Sequence, residues 1–600
     1  MKAHIETTQP KNWFRRALIS AAIITFLLVM AGYLIRFDGA ENACPDWPTC
    51  YGQWGIPASL AAQLEMAHRI LAGLAAATIF VVTIWAFSRR VSRSTVRYLL
   101  TGALIGVIAE SLLASGLFPR ITPLLTGNIH LALALITMAL VTAAAVVGNL
   151  TPKTAMAEIP RSRYSRLAWL TMLTMLMVML SGAWLTSAGT ANACDGWPLC
   201  SGGLPTTQAG WLAFGHRLLT LFAGILVAAL SILAWRKHYR QPVLLTSATA
   251  VGLLFVGQIL ISALKVERGY PIDLVGLHAT ATAALWATLI VTATAAIFEV
   301  ESVHPEIQNH SRSVGAGRLK AFLMLNKPII VALLLVTTFA GMVVGGKQMP
   351  TFWLAFWTLL GGALAAGGAS ALNQVIDRVI DGNMQRTAKR PLPSGALTPA
   401  EGLAYGVGAC LAAFFILAGF VNLLAAVLSL AGMIYYVLLY SVWLKHATVQ
   451  NIVIGGGAGA IPPLVGWAAA TGALNIPSLF LFAIVFMWTP PHFWALAIVR
   501  KNDYARAGVP MLPVVKGEHY ARIQIFIYTL ELVALTLLMP LFKMTGSLFL
   551  VSAVVLGLWL IYAAWNVLRK PGNKVAWTMY RYSSMYLAFL FLALVLDVLI

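Results

Sequence analysis

About 17 apolar stretches of roughly 20 residues follow one another along this chain, each long enough to cross a bilayer as a helix. Inside lipid a backbone must satisfy its own N–H and C=O groups, and a helix does so within one segment. The expected fold class is therefore an all-α polytopic membrane protein. Eight spans start near residues 17, 65, 97, 126, 167, 212, 242 and 273, and nine more near 327, 352, 399, 421, 449, 477, 521, 546 and 577. Of the 600 residues, 60% are hydrophobic and only 10% charged. That composition belongs in the lipid bilayer.

The net charge of +21 would suit a nucleic-acid binder, but its placement argues against one. Lys and Arg gather in alternate loops or at their edges: Arg89, Arg90, Arg93 and Arg97; Lys153, Arg161, Arg163 and Arg166; Arg236, Lys237 and Arg240; Arg378, Arg386, Lys389 and Arg390; Arg500, Lys501 and Arg506. This positive-inside bias puts the N-terminus in the cytoplasm. Eight spans return the chain there near residue 300, and nine more leave the C-terminus outside. The first apolar stretch follows Lys11, Arg15 and Arg16 in the manner of a signal peptide. It runs from about Ala17 to Ile35 without a clean small-residue cleavage site, so it reads as an uncleaved helix. The expected location is a bacterial cytoplasmic (inner) membrane.

Residues 299–320 are the one long linker of mixed polarity between spans. They divide the chain into 1–300, a cytoplasmic linker at 301–320, and 321–600. The first part carries an internal repeat, 1–150 against 160–300. Asn42-Ala43-Cys44-Pro45-Asp46-Trp47-Pro48-Thr49-Cys50 returns as Asn192-Ala193-Cys194-Asp195-Gly196-Trp197-Pro198-Leu199-Cys200. His68 and His130 return as His216 and His278, and Arg69 returns as Arg217. The expected architecture is two tandem four-helix bundles followed by a nine-helix bundle.

Both Cys-x5-Cys pairs fall on loops that the charge rule places outside, where disulfides Cys44–Cys50 and Cys194–Cys200 can persist. Zinc is the rival reading, although neither loop offers a further Cys or His to complete four ligands. Cys410 reads as apolar packing.

Ionisable residues on membrane helices are costly and usually mark function or a buried partner. Four histidines at repeated spacing, in two equivalent bundles, suit axial ligation of two haem irons. Histidines bonded to neighbouring carbonyls are the alternative. Arg69 and Arg217 are candidates for haem propionates, against simple snorkelling to the interface. Glu65 lies three residues before His68, on the same helix face, while Ala213 holds the matching place before His216. A carboxylate beside one site only implies unequal roles, unless it serves the helix dipole alone.

This constellation resembles the haem A synthase family across residues 1–300. The resemblance implies oxidation of a haem O ring methyl to a formyl group through an alcohol. It implies that His68 and His130 hold the substrate haem, that His216 and His278 hold haem b, and that Glu65 is catalytic.

The second part contains Asn373-x3-Asp377-x3-Asp381, one face at the end of a helix that Gly382 stops. Stacked oxygen ligands suit Mg²⁺ bound with a substrate phosphate. Arg378, Arg386, Lys389 and Arg390 follow as candidate diphosphate ligands. A second polar loop, Arg500-Lys501-Asn502-Asp503-Tyr504, adds Lys501 for diphosphate and Asp503 for metal. An ordinary basic loop with salt bridges is the bland alternative.

These residues resemble the UbiA-type prenyltransferases over 320–600. Trp488-Thr-Pro-Pro-His492-Phe-Trp, Asp503-Tyr-Ala-Arg-Ala-Gly-Val-Pro-Met-Leu-Pro-Val and Asn451-Ile-Val-Ile-Gly-Gly-Gly-Ala-Gly-Ala-Ile-Pro-Pro narrow the resemblance to protohaem farnesyltransferases. It implies farnesyl diphosphate and haem b as substrates, haem O as product, Asp377, Asp381 and Asp503 as catalytic metal ligands, and His492 as a haem-orienting residue or a satisfied helix histidine. Asn502 stands where the resemblance calls for an acid, which places the second metal position on Asp503.

Together the two resemblances predict a bifunctional enzyme that makes haem O and then haem A, for delivery to a haem–copper terminal oxidase. The electron acceptor is not readable from the residues. A quinone-type aromatic prenyltransferase fused to a dihaem electron-transfer protein is the alternative, predicting prenylated aromatic acids. A transporter or assembly scaffold, predicting no turnover, is a third.

Overall fold

The computed structural model describes residues 9–37, 43–88, 94–114, 122–149, 162–201, 203–297, 316–385 and 387–600. Arg386 and the linker up to residue 315 lie outside them, as do Arg89, Arg90, Arg93, Lys153 and Arg161. The described residues are helical and loop, with 17 helices long and apolar enough to span a membrane. The chain is a multi-pass membrane protein. It divides into two compact units, Met1–Val303 and His304–Ile600.

The first unit holds α1 (Gln9–Phe37), α2 (Leu60–Ser88), α3 (Ser94–Ala114), α4 (Pro123–Asn149), α5 (Arg163–Ser187), α6 (Gln208–Lys237), α7 (Pro242–Glu267) and α8 (Ile272–Ile297). Helices α1 to α4 close one ring, α5 to α8 close another, and the rings meet chiefly where α8 packs against both α4 and α1. The Trp286 indole N–H of α8 donates to the Leu135 carbonyl of α4 at 2.9 Å, a buried bond across the repeat boundary. Apolar surface gives little drive to associate in lipid, so close backbone approach carries more of the packing. Gly102 and Gly106 on α3 supply it, seating against Leu140 and Thr137 of α4.

The second unit runs α9 (Ala316–Leu325), α10 (Pro328–Gly346), α11 (Phe352–Gly382), α12 (Pro399–Phe420) and α13 (Leu423–Ile434), which continues as a π-helix, Tyr435–Leu444. After it come α14 (Lys445–Ala447), α15 (Asn451–Thr471), α16 (Ile476–Val499), α17 (Lys501–Arg506), α18 (Leu512–Val515), α19 (Glu518–Leu541), α20 (Ser547–Arg569) and α21 (Asn573–Leu599). Helices α10 and α15 touch backbone to backbone: a methyl added at Gly341 or Gly466 would collide with the other helix's main chain. A capping box of Thr398 and Glu401 starts α12, and Arg318 of α9 pairs with that Glu401. The charge that caps the helix thus also fastens α9.

Candidate functional sites

In the first unit the four histidines sit within about the first two turns of α2, α4, α6 and α8. Both cysteine loops lead into such helix starts, so loops and histidines share one end of the unit. Cys44 and Cys50, and likewise Cys194 and Cys200, lie at disulfide distance. His130 lies near enough to His68 to act on it electrostatically, and His216 stands so toward His278.

The first histidine of each repeat packs closely against the neighbouring helix. A methyl on Gly32 of α1 would stand 3.1 Å from His68 Cε1, and one on Gly182 of α5 would stand 3.1 Å from His216 Cε1. Each histidine therefore rests against a glycine at the same place in its repeat. Their second contacts differ. His216 Nδ1 is 2.8 Å from Ser181 Oγ, whereas Ala31 holds that place in the first repeat and His68 Nδ1 is buried without a hydrogen bond. His278 Nδ1 is likewise unbonded. Buried imidazoles that keep a ring nitrogen unbonded suit haem ligation.

Glu65 and Arg69 are turned toward the cysteine loop. Glu65, only 7% exposed, accepts the Cys44 N–H at 2.8 Å and pairs with Arg69 at 2.5 Å. Arg69 also donates to the carbonyls of Asp46, Thr49 and Cys44. Arg217 donates to Cys194 and Pro198 carbonyls, at 2.7 and 3.3 Å. Both arginines thus clamp a loop beside the histidines, and the first repeat adds a carboxylate to the clamp. Within that loop the Thr49 hydroxyl, followed by the Gly52 amide, holds the Asp46 carboxyl below its ordinary value.

In the second unit Asn373, Asp377 and Asp381 line one buried face of α11. Asp377 Oδ2 accepts from Lys445 Nζ at 2.5 Å and from Asn373 Nδ2 at 2.8 Å. Asp381 Oδ2 pairs with Arg390 at 2.6 Å, because the loop after Gly382 folds back. Lys327 Nζ donates to Asn373 Oδ1 at 2.9 Å. Three cations therefore converge on two carboxylates. Burial pushes the Lys327 ammonium down to about 7, and the nearby Arg390 charge adds to the effect. Lys327 holds a left-handed backbone, φ 49°, immediately before Pro328. A non-glycine residue there stores strain, a frequent mark of a site. The π-helix carries Ser441 to Asn373 Nδ2, at 3.1 Å, and delivers Lys445 just beyond its end. Such wide turns recur at functional positions.

Asp377 Oδ1 is buried and accepts no hydrogen bond. A free carboxylate oxygen beside a second carboxylate and an amide fits a Mg²⁺ ligand set. Asp503 is not part of one cluster with Asp377 and Asp381: among the described residues no three His, Cys, Asp or Glu side chains gather around a metal position. Asp503 instead pairs with Arg506 at 2.5 Å and Arg500 at 3.9 Å, and Lys501 pairs with Glu518 at 3.1 Å. The expectation for Arg378 is corrected. One residue beyond Asp377 is about 100° round the helix, and Arg378 is exposed, bonded to the Val375 carbonyl. Lys389 is exposed on the loop after α11. His492 is 6% exposed, stacked between Trp488 and Tyr580, with Nδ1 2.8 Å from Ser583 Oγ. That environment is the satisfied helix histidine.

Sequence reading missed Lys327, Lys445, Ser441, Ser181, Gly32 and Gly182. The glycines were legible as a second offset of 150 in the repeat. The two lysines looked like ordinary loop charges until the fold aimed them.

Residues 334–592 match the UbiA prenyltransferase family, and residues 15–210 match the family described as cytochrome oxidase assembly protein. A protoheme IX farnesyltransferase of Roseiflexus sp. (strain RS-1) is 42% identical over 73% of this chain and 84% of its own. That of Chloroflexus aurantiacus is 35% identical, covering 98% of both chains. One from Thermus thermophilus is 34% identical over 98% of this chain and 99% of its own. Both of the latter align through the first unit as well as the second, so the chain is an enzyme of the protoheme IX farnesyltransferase family in which a cytochrome oxidase assembly domain precedes the UbiA prenyltransferase domain.

Proposed function

We propose that this chain performs two successive steps: farnesylation of haem b to haem O in the second unit, and oxidation of the haem O ring methyl to a formyl group in the first, giving haem A. The observation that carries it is the buried Asp377–Asp381 face, met by Lys327, Lys445 and Arg390, with Asp377 Oδ1 left free.

Asp377, Asp381 and Asn373 would hold Mg²⁺, which would supply positive charge to a diphosphate leaving group. Lys327, Lys445 and Arg390 offer ammonium and guanidinium groups to the same oxygens, and they are fixed before the bond breaks. The apolar helices around the site exclude the water that would otherwise capture an allylic cation. A haem b vinyl group then attacks farnesyl carbon, and water completes the new arm. Lys389 and the loop 500–503 lie on the proposed cytoplasmic side, together with the N-terminus; the C-terminus lies outside.

In the first unit His68 and His130 hold the substrate haem. His216 and His278 would hold a resident haem b, which would supply one-electron transfer. The Ser181 contact favours that division for one of the two histidines: a hydrogen bond to the other ring nitrogen would fix His216 as a haem ligand, and His68 has no such bond. Glu65 is the carboxylate of the active half, positioned by Arg69 and the Cys44 amide. Cys44–Cys50 and Cys194–Cys200 disulfides brace the loops at this end. Both units in one chain raise the effective concentration of a poorly soluble intermediate. The product would pass to a haem–copper oxidase.

Haems extracted from cells lacking both activities test the scheme by chromatography and mass spectrometry. The intact chain yields haem A, Asp377→Ala leaves haem b, and His68→Ala accumulates haem O. Haem b alone from folded intact protein overturns it.

A further inference from the structure

A carboxyl that the scheme does not use lies inside the first bundle. Glu110 is on α3, half-buried, and Thr137 Oγ1 of α4 donates to its Oε1 at 3.0 Å. Gly102, Gly106 and Glu110 are spaced by four, so they form one stripe on α3. Both glycines seat against α4, which turns Glu110 into the bundle. Thr137 follows His130 by seven residues, close to the same face of α4 and about 10 Å along it. Glu110 thus stands beside the helix that presents His130, and among the described residues no cation pairs with it. An ionisable group in this setting is costly and by default functional.

The repeat gives a control within the same molecule. The offset of 148 that relates His130 to His278 relates Glu110 to Gln258. Gln258 Nε2 donates to the His278 carbonyl at 2.8 Å and to Thr282 Oγ1 at 2.6 Å. The second bundle therefore accepts an amide at this position and uses it to tie α7 to α8. One further place differs in the same sense, Glu65 against Ala213. Each time the first repeat has a carboxyl and the second a neutral residue.

We infer that Glu110 is a proton-accepting residue of the first-repeat site, an inference that rests on the oxidation proposed above. In the first stage a methyl C–H bond breaks and a C–O bond forms to a water oxygen, releasing two protons and two electrons. In the second stage the carbinol loses a C–H and its O–H hydrogen as C=O forms, releasing two more of each. The electrons pass to a two-electron acceptor of the quinone class. Glu110 takes a proton from each stage at Oε2, the oxygen that Thr137 leaves open, on the side of the site away from the cysteine loops.

Glu110→Gln and Glu110→Asp in the full chain test this. Gln keeps the volume and the acceptor for Thr137 but holds no exchangeable acid proton. General acid–base residues contribute about 100-fold or more, so Glu110→Gln should lower the haem A formed per haem O by that order, with Glu110→Asp recovering most of it. Infrared difference spectra of the purified, haem-loaded protein on reduction should show a carboxylic C=O band that Glu110→Gln removes and Glu110→Asp shifts. A Glu110→Gln protein with wild-type haem A output and an unchanged infrared spectrum overturns the inference, because a purely structural helix–helix bond survives that change. Where Glu110→Gln loses its second-repeat haem spectrum, misfolding is indicated and Glu110→Asp decides through the shifted band. Failure of the oxidation reading itself looks different: the wild-type chain then makes no haem A.

Discussion

The Asp377–Lys445 pair separates a structural salt bridge from a reactive one. Asp377 is 2% exposed, and the two groups meet at 2.5 Å with side-chain exposures of 14% for Lys445 and 3% for Asp377. Breaking a buried pair from one side costs about 3–5 kcal/mol, mostly from the charge left behind. Asp377→Asn keeps the volume and an acceptor for Lys445, so its cost falls at or below the lower end of that range. Lys445→Met leaves the carboxylate with only Asn373 beside it and falls nearer the upper end. The double variant removes both charges and should return to within about 1 kcal/mol of the parent, since neutral replacements of buried pairs are often harmless. Catalysis should not recover. Removing one preorganised electrostatic group costs about 10²–10³ in rate, and the double variant lacks two. The assay is haem O formed from haem b and farnesyl diphosphate by the full chain in membranes, alongside thermal inactivation in detergent. Recovery of both stability and activity in the double variant would refute the reasoning and return the pair to ordinary scaffolding.

Three further outcomes follow from the first unit. Ser181→Ala should weaken retention of the resident haem by about 10–100-fold, the usual size of an outer-shell effect, while Ala31→Ser should tighten retention in the first repeat; haem content after extended washing reads both, and equal content in parent and variants sinks the second-contact argument. Gly32→Ala drives a methyl to 3.1 Å from His68 Cε1 and should block haem O consumption while haem O production continues, which product ratios will show. The Asp46 carboxyl is held below its ordinary value by Thr49 and Gly52. Its contribution to loop order is therefore complete above the unfolded value and lost as pH falls through the lower folded value. Hydrogen exchange at the Gly52 amide should accelerate relative to its intrinsic rate across that acid window, and Asp46→Asn should abolish the dependence.

The helices were legible because their cause is local. Span starts read near 17, 65 and 97 are found at Asn12, Leu60 and Ser94, and those read near 242, 352 and 399 at Pro242, Phe352 and Pro399. The close agreement falls where a proline or a Thr cap marks the boundary. The looser agreement falls where a helix runs past the apolar core into polar residues, as α2 does through Gln63 and Glu65. The Asn373–Asp377–Asp381 face was legible for the same reason, since four-residue spacing on one helix fixes a shared direction. What the sequence could not disclose is what each face meets. Arg378 and Arg390 look alike as loop charges, yet one points outward and the other returns to Asp381 because Gly382 ends the helix and the loop reverses. Lys327 and Lys445 are separated by more than a hundred residues and converge through α10, α11 and a π-helix that no periodicity announced.

The repeat carries the deeper lesson, because divergence within it isolates function from scaffold. Both halves must solve one packing problem: a glycine clears each first histidine, and an arginine clamps each cysteine loop. Features shared by both halves are therefore explained by building such a bundle around a pair of histidines. The differences are not: Glu65 against Ala213, Glu110 against Gln258, and Ala31 against Ser181. Two remove a carboxyl from the second half, and the third gives that half a firmer histidine. A bundle that gains ionisable groups in lipid at a cost to stability, beside a twin that folds without them, retains them for chemistry. Under the proposed scheme, the half with the looser histidine and the extra carboxyls is the one suited to bind, transform and release its haem.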